Sequence, residues 1–323
     1  MAAVNAASRI PVTVLTGFLG SGKTTLLRRA LSAPAFADTA VVINEIGAIA
    51  IDHYLVDFVE GNVLELPGGC LCCAVREDLA RTLRDLVDRR DTGAVRPFRR
   101  IVVETSGLAD PAPILYTFGA DPMLDARLAL ARVVTLVDAV AGADTLARFA
   151  EASRQAAVAD LVVVSKTDLQ PLSPELARRL AALNPTAEIV CGAASDDPAA
   201  LLFGRGRRTP ALPDAAAAHS HGIDSFAVAF AGAISRLDFA RALGTLARER
   251  GSDLLRVKGI VAFADGDPRP ALIQAAQHAM FAPEWLDDWP DADRRSRLVF
   301  VVHDIPRSEV LAHFAFASPS LIH

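Results

Sequence analysis

No apolar run in this sequence is long enough to cross a bilayer; the run 128–137, for example, is interrupted by Arg132. A membrane partner is therefore not expected. Residues 1–9 lack a basic segment followed by a long apolar stretch, so no export signal is expected either. Excess positive charge is missing as well. The formal net charge is -5, which argues against a nucleic-acid partner. It does not argue against a small anionic ligand, because backbone N–H groups can grip a phosphate locally. A disulfide framework is absent: there are four cysteines, three of them being Cys70, Cys72 and Cys73. That spacing suits a reducing compartment and a thiolate site, so the expected location is the cytoplasm. Internal repeats and heptads are not found, and the alanine bias is spread along the chain.

What is present is a globular composition, 52% hydrophobic and 22% charged over 323 residues, enough for one large or two ordinary domains. Continuous apolar runs at 11–16, 40–44, 100–104, 132–137, 160–165 and 188–190 read as strands buried on both faces. Helical patterns lie between them at 23–31, 77–90, 111–118, 144–157 and 173–183. Repeated strand–helix units imply an α/β fold, a mostly parallel sheet flanked by helices, with ligands at the carboxyl ends of the strands. The stretch 51–66 departs from this and reads as an inserted hairpin-like segment. Residues 204–222, rich in Gly, Pro, Ala and basic side chains, read as a linker between a domain at 1–203 and one at 223–323. The second part has strand patterns at 223–230, 253–264, 271–278 and 297–303, with helices at 235–250 and 307–314. Asp265-Gly266-Asp267-Pro268 is its strongest turn signal. This is a smaller α+β domain.

The sharpest motif is Gly17-Phe-Leu-Gly-Ser-Gly-Lys-Thr24. It fits the phosphate-binding loop (P-loop) pattern and stands between a strand and a helix, as that pattern requires. Gly17, Gly20 and Gly22 let the backbone bend so that its N–H groups, with those of Ser21 and Thr25, face phosphate oxygens. The helix N-terminus adds positive potential. Lys23 would reach the β- and γ-phosphates, and Thr24 would place its hydroxyl on Mg²⁺. The bland alternative is a glycine-rich turn before a core helix.

Two further strands end in polar groups. Arg100-Ile-Val-Val-Glu-Thr-Ser-Gly107 would supply the second acidic group of a Mg²⁺ site, Glu104, and the N–H of Gly107 would sense the γ-phosphate. Val162-Val-Val-Ser-Lys-Thr-Asp168 has the form of the guanine-reading tetrad N-K-x-D. Asp168 would accept from the guanine N1–H and N2–H₂, a pair that adenine cannot offer. Lys166 would lie along the base. Ser165 stands where the tetrad has Asn, and its shorter side chain is expected to weaken the support of the glycine loop. An ordinary strand–helix turn explains the same residues.

Leu66-Pro-Gly-Gly-Cys-Leu-Cys-Cys73 places three thiolates, Cys70, Cys72 and Cys73, where they can converge on one soft metal, zinc first by availability. A fourth position would stay open for exchange with a partner. A redox pair, or plain buried cysteines, are the alternatives. His219 and His221 in the linker have metal-binding spacing and also suit a polar linker. His53, His278, His303 and His313 have no spacing that singles them out.

Taken in order, residues 17–26, Asn44-Glu45-Ile46-Gly47-Ala48, residues 69–73, residues 104–111 and residues 165–168 resemble the CobW-type GTPases, relatives of the urease and hydrogenase nickel-insertion GTPases. Residues 254–259 and 294–302 also fit, so the resemblance covers nearly the whole chain. It implies GTP hydrolysis coupled to handling of zinc or cobalt for a client metalloprotein, and it leaves room for a homodimer. Glu45 would order the attacking water or the Mg²⁺ shell. Ala48 replaces a glutamate of the family pattern, which puts the identity and affinity of the metal in question. A metal-sensing GTP-dependent switch that delivers nothing, and a nucleotide-dependent kinase, are competing functional classes.

Overall fold

Parallel pairing of buried apolar runs builds the first half of the molecule. The computed structural model describes residues 9–44, 63–65, 72–192, 197–204, 221–265 and 267–322. Its first seven strands are β1 (Ile10–Gly17), β2 (Thr39–Asn44), β3 (Val63–Glu65), β4 (Arg100–Thr105), β5 (Leu128–Asp138), β6 (Leu161–Ser165) and β7 (Glu188–Cys191). They form one all-parallel sheet in the order β3-β2-β4-β1-β5-β6-β7. The chain leaves β1 between β4 and β5, where the strand order reverses, and ligands of such sheets bind in the crevice at that point.

Helices cover both faces: α1 (Lys23–Leu31), α2 (Cys72–Asp91), α3 (Ala112–Ala120), α4 (Pro122–Arg127), α5 (Gly142–Arg148), α6 (Ala150–Ala157), α7 (Pro174–Leu183) and α8 (Pro198–Phe203). On one face Leu26 and Leu27 of α1 and Leu201 and Leu202 of α8 pack with Leu15, Val41 and Leu136. On the other, Leu83 of α2, Leu115 of α3, Ala156 of α6 and Leu180 of α7 pack with Val12, Val14 and Val103. Each such leucine contributes roughly 1.5–3 kcal/mol by leaving water.

The second sheet is antiparallel. It is built from β8 (Ile223–Ala229), β9 (Arg256–Val261), β10 (Ala271–Ala276), β11 (Ala279–Met280), β12 (Glu284–Trp285), β13 (Arg297–His303) and β14 (Ser320–Ile322). The order is β11-β10-β9-β13-β8-β14, with β12 paired to β10. Helices α9 (Arg236–Arg250) and α10 (Arg307–His313) lie on one face, with Phe239, Leu243 and Val310 against Phe226, Val257 and Phe300. From the other face Ile223, Ala276 and Val301 enter the same apolar cluster as α3 and α6. Period-two alternation makes this possible: Phe300 and Val302 face one way along β13 and Val301 the other.

A buried ionic cluster lies at this junction. Asp160 accepts from the N–H of Val133 at 2.9 Å and from the guanidinium of Arg256, which also donates to Gln274 Oε1 at 2.8 Å. Lys258 Nζ lies 3.9 Å from Asp160. Burial pushes the Lys258 ammonium down; Asp160 opposes that shift, and Arg256 and Arg132 add to it.

Several elements differ from the sequence expectation. The pattern 144–157 forms two helices rather than one, because Phe149 takes an extended backbone (φ -121°, ψ 115°) between α5 and α6. Its ring packs on Phe18 of the glycine loop, 4.7 Å between centroids. Val63–Glu65 is the parallel edge strand beside β2 rather than one arm of a hairpin; the rest of 51–66 lies outside the described residues. The expected strand 253–264 shortens to β9, since Asp253 and Leu254 donate to Arg250 O and close a turn. The run 271–278 ends at Ala276, and Gln277 takes a positive φ of 54°. Helices α4 and α8 and strand β14 were not foreseen. The two helices start at Asp121-Pro122 and Asp197-Pro198, where each aspartate caps the N–H of the second residue after it and proline fits the first turn.

Candidate nucleotide site

The site grows from the carboxyl end of β1. Gly17, Gly20 and Gly22 have φ of 141°, 70° and 96°, values that side chains with a Cβ rarely adopt. The loop closes on itself through the N–H of Ser21 to Phe18 O, 3.2 Å, and α1 begins with the N–H of Leu26 on Gly22 O, 3.0 Å. Lys23 is buried and folds back, its Nζ 2.8 Å from Gly17 O and 3.3 Å from Phe18 O. Thr25 is exposed on the first turn of α1.

β4, which pairs with β1, brings the acidic group. Glu104 is buried at the end of that strand and accepts from Thr24 Oγ1 at 3.0 Å. Thr105 Oγ1 donates to Thr16 Oγ1 at 2.8 Å, tying the ends of the two strands together. A hydroxyl and a carboxylate in contact beside a phosphate loop are the donor set that a hard cation such as Mg²⁺ takes. Gly107 follows at once, and a Cβ there would stand 2.8 Å from Leu19 N and 2.9 Å from Leu19 Cα. Only glycine fits against the loop at that distance.

β6 supplies the third edge. Ser165 Oγ donates to Ser21 O at 2.6 Å, so the shorter side chain does reach the glycine loop. Lys166 has a φ of 57° and donates to Asp138 Oδ2 at 2.6 Å. Asp138, at the end of β5, also accepts from the N–H groups of Val140 (2.7 Å) and Ala141 (3.4 Å). Burial alone would raise the Asp138 carboxyl; Lys166 and these N–H groups outweigh it and hold the group below its ordinary value. Asp168 is exposed and makes no hydrogen bond with a described residue.

The metal-binding expectations fall largely elsewhere. Glu45, Cys70 and His219 lie outside the described residues. Cys72 and Cys73 are the first residues of α2, so the expected loop runs directly into a helix that begins five residues before its expected start at residue 77. His221 Nε2 is 3.1 Å from Leu146 O. Among the described residues no group of three or more His, Cys, Asp or Glu stands ready to hold a metal ion. Cys191 is half-buried beside Val164 on β6.

Three residues near the site escaped sequence reasoning. Asp138 ends an apolar run just as Glu104 does, and that signal was available. Gln155 is fully buried and donates to Gly107 O (3.2 Å) and Ala109 O (3.0 Å). Arg154 donates to Asp110 Oδ2 at 3.0 Å. Both sit in an ordinary amphipathic pattern that gives no hint of their partners.

With this geometry in view, the likenesses to known proteins are specific. Residues 11–191 match the CobW/HypB/UreG nucleotide-binding domain, and residues 223–317 match the cobalamin synthesis protein cobW C-terminal domain. The zinc chaperone YjiA of Escherichia coli is 33% identical over 95% of this chain and 98% of its own. The zinc chaperone CobW of Pseudomonas aeruginosa is 31% identical over 94% and 90%. The crystal structure of the Zn(II)-bound YjiA GTPase from E. coli superposes with a TM-score of 0.71 at 30% identity, covering 96% of this chain and 99% of that one.

Proposed function

The chain belongs to the CobW/HypB/UreG family, and on that premise we propose that it binds and hydrolyses GTP with Mg²⁺ and uses the cycle to pass zinc, or cobalt, from Cys70, Cys72 and Cys73 to a client protein. The observation that carries the reading is the contact of Thr24 with Glu104, 3.0 Å, at the point where the strand order reverses beside Lys23. The E. coli and P. aeruginosa relatives named zinc chaperones support the choice of metal.

In this reading the loop N–H groups and the N-terminus of α1 grip the phosphates. Lys23 leaves the carbonyls of Gly17 and Phe18, which it now satisfies, for the β- and γ-phosphates. Mg²⁺, when bound, neutralises phosphate charge, and Thr24 and Glu104 would hold it directly or through water. Glu45 orders the attacking water and the N–H of Gly107 meets the γ-phosphate. Ser165 keeps the loop in place, and Asp168 selects guanine by its exposed carboxylate. The thiolates lie in the chain between the Glu45 and Glu104 stretches, so the γ-phosphate can change their geometry. Turnover of the isolated chain is expected to be slow, because among the described residues no arginine finger stands in the site.

A zinc and cobalt competition titration tests the proposal, run with GDP and with a non-hydrolysable GTP analogue, on the wild type and on a Cys70/Cys72/Cys73→Ser variant. Tight binding that requires the cysteines and shifts with nucleotide is expected. Binding indifferent to either would sink metal transfer, and metal retained during client contact would point to a sensing switch. Lys23→Ala should lose GTP hydrolysis by on the order of 10²–10³; hydrolysis at the native rate would refute the loop assignment.

A further inference from the structure

Two consecutive residues of α6 hold the segment that follows Glu104. Gln155 points inward to the carbonyls of Gly107 and Ala109, while Arg154, turned about 100° around the helix, reaches the carboxylate of Asp110 with one guanidinium nitrogen. The other oxygen of Asp110 accepts from the N–H of Ala112 at 2.9 Å and so sets the start of α3. Arg154 does not stop there. Its Nη2 lies 3.4 Å from Nδ1 and 3.5 Å from Nε2 of His303, the last residue of β13 in the second sheet. His303 is fixed in turn by Asp253: its backbone N–H donates to Asp253 O at 2.7 Å, and Nδ1 is 3.1 Å from Oδ1. A parallel contact runs from α3, where the ring of Tyr116 meets His278 edge-on, 4.9 Å between centroids.

These bonds bear on how the segment can move. Gly107 packs directly on the glycine loop, where a Cβ would stand 2.8 Å from Leu19 N, so a phosphate that moves the loop also presses on the segment. The segment is gripped by α6 on both sides, through Gln155 and through Arg154. A shift must therefore either break these bonds or carry α6, and with it the contact to His303. Gln155 Oε1 is buried and makes no hydrogen bond among the described residues, so its amide is held at one end only.

We propose that Arg154 and His303 are positioning residues for the nucleotide-sensing segment, and that α6 links the nucleotide state of the first sheet to the second. The proposal rests on the reading of Gly107 as the residue that meets the γ-phosphate. It makes a histidine of the second sheet, far along the chain from every phosphate-binding motif, part of what sets hydrolysis.

The test uses the full chain and four variants: His303→Ala, His303→Gln, Arg154→Lys, and Arg154→Lys with His303→Ala. Lysine keeps a cation for Asp110 but cannot bridge to His303 at the same time. Two quantities are read, kcat against KM for GTP, and the ratio of affinities for a non-hydrolysable GTP analogue and GDP. His303→Ala and Arg154→Lys should each lower kcat, and shift the affinity ratio, by about tenfold. GDP affinity should stay within about twofold of wild type, and the double variant should be no worse than the worse single one. His303→Gln, which retains a donor and an acceptor, should recover most of the loss. Values within about twofold of wild type for both single variants, or losses that multiply in the double one, would overturn the link. If His303→Ala fails to fold, Arg154→Lys and His303→Gln decide the matter by the same ratio. If the wild type binds guanine nucleotides yet hydrolyses none, the hydrolytic reading falls while the affinity ratio still judges the link.

Discussion

Ser165 donates its hydroxyl to the backbone carbonyl of Ser21 at 2.6 Å, joining the end of β6 to the glycine loop. The bond is reachable because the loop lies close: a Cβ at Gly22 would be 3.8 Å from Ser165 Cβ. Ser165→Ala removes the donor and leaves that carbonyl without it. The expected cost is about 1 kcal/mol, read as a lower melting temperature and a weaker GDP affinity. Unchanged GDP affinity would show that the loop holds its shape without β6.

Gly107→Ala places a methyl group 2.8 Å from Leu19 N. Overpacking of this kind costs about 1–3 kcal/mol, and hydrolysis should fall with it. The Leu19 side chain also clashes, with Cδ2 2.7 Å away, but the backbone contacts at 2.8 and 2.9 Å remain when it is cut back, so adding Leu19→Ala should not restore either property. Restoration by that second change, seen in melting and turnover assays, would locate the conflict in the leucine side chain instead.

The Asp138–Lys166 pair predicts a dependence on acid. Asp138 is held below its ordinary value of 3.8, so the stability it contributes is present above that pH and is lost as pH falls through the folded value. Asp138→Asn should therefore destabilise at neutral pH, by no more than about 1 kcal/mol since the Lys166 side chain is 38% exposed and water screens the pair. The difference from wild type should close in acid. Urea melts across the acid range would measure it, and a constant difference would contradict the assignment.

Lys258 predicts a slope of the same sign, in a different pH window. Its ammonium is driven below 10.5 chiefly by burial. Between the folded value and 10.5 the unfolded chain binds more protons, so stability from this group rises with pH across that window. Lys258→Met removes a buried charge that Asp160 only partly compensates at 3.9 Å. The variant should match or exceed wild-type stability near neutral pH, by about 1 kcal/mol, with the advantage shrinking as pH rises. Asp160→Asn leaves Arg256 and Lys258 buried without their shared carboxylate, and should cost about 3–5 kcal/mol. Equal stability of wild type and Asp160→Asn in chemical denaturation would remove the junction's ionic role.

Sequence and structure agree most closely where the signal is local. The helix 23–31 was expected with the bounds observed, because glycine loop, lysine and apolar spacing all act within a few residues. Strand cores at 11–16 and 100–104 were equally legible as unbroken apolar runs. The break at Phe149 was not, since residues 144–157 keep a helical apolar period and only the fold shows Phe149 extended, with its ring on Phe18. Ser165 illustrates the same limit from the other side. Its length could be compared with asparagine in the sequence, but whether a hydroxyl reaches Ser21 depends on how near the loop folds to β6.

The sequence alone therefore determined the class of fold, the phosphate loop and the resemblance that runs through both halves of the chain, because these rest on residue spacing and periodicity. Tertiary structure decided which side chains meet across long separations: Thr24 with Glu104, Arg256 with Asp160, Gln155 with Gly107, and Arg154 with both Asp110 and His303. Such contacts are set by strand order and by the docking of one sheet on the helices of the other. Neither leaves a periodic trace in the chain, so a buried glutamine and a bridging arginine look like any other helical residue until the fold brings their partners to them.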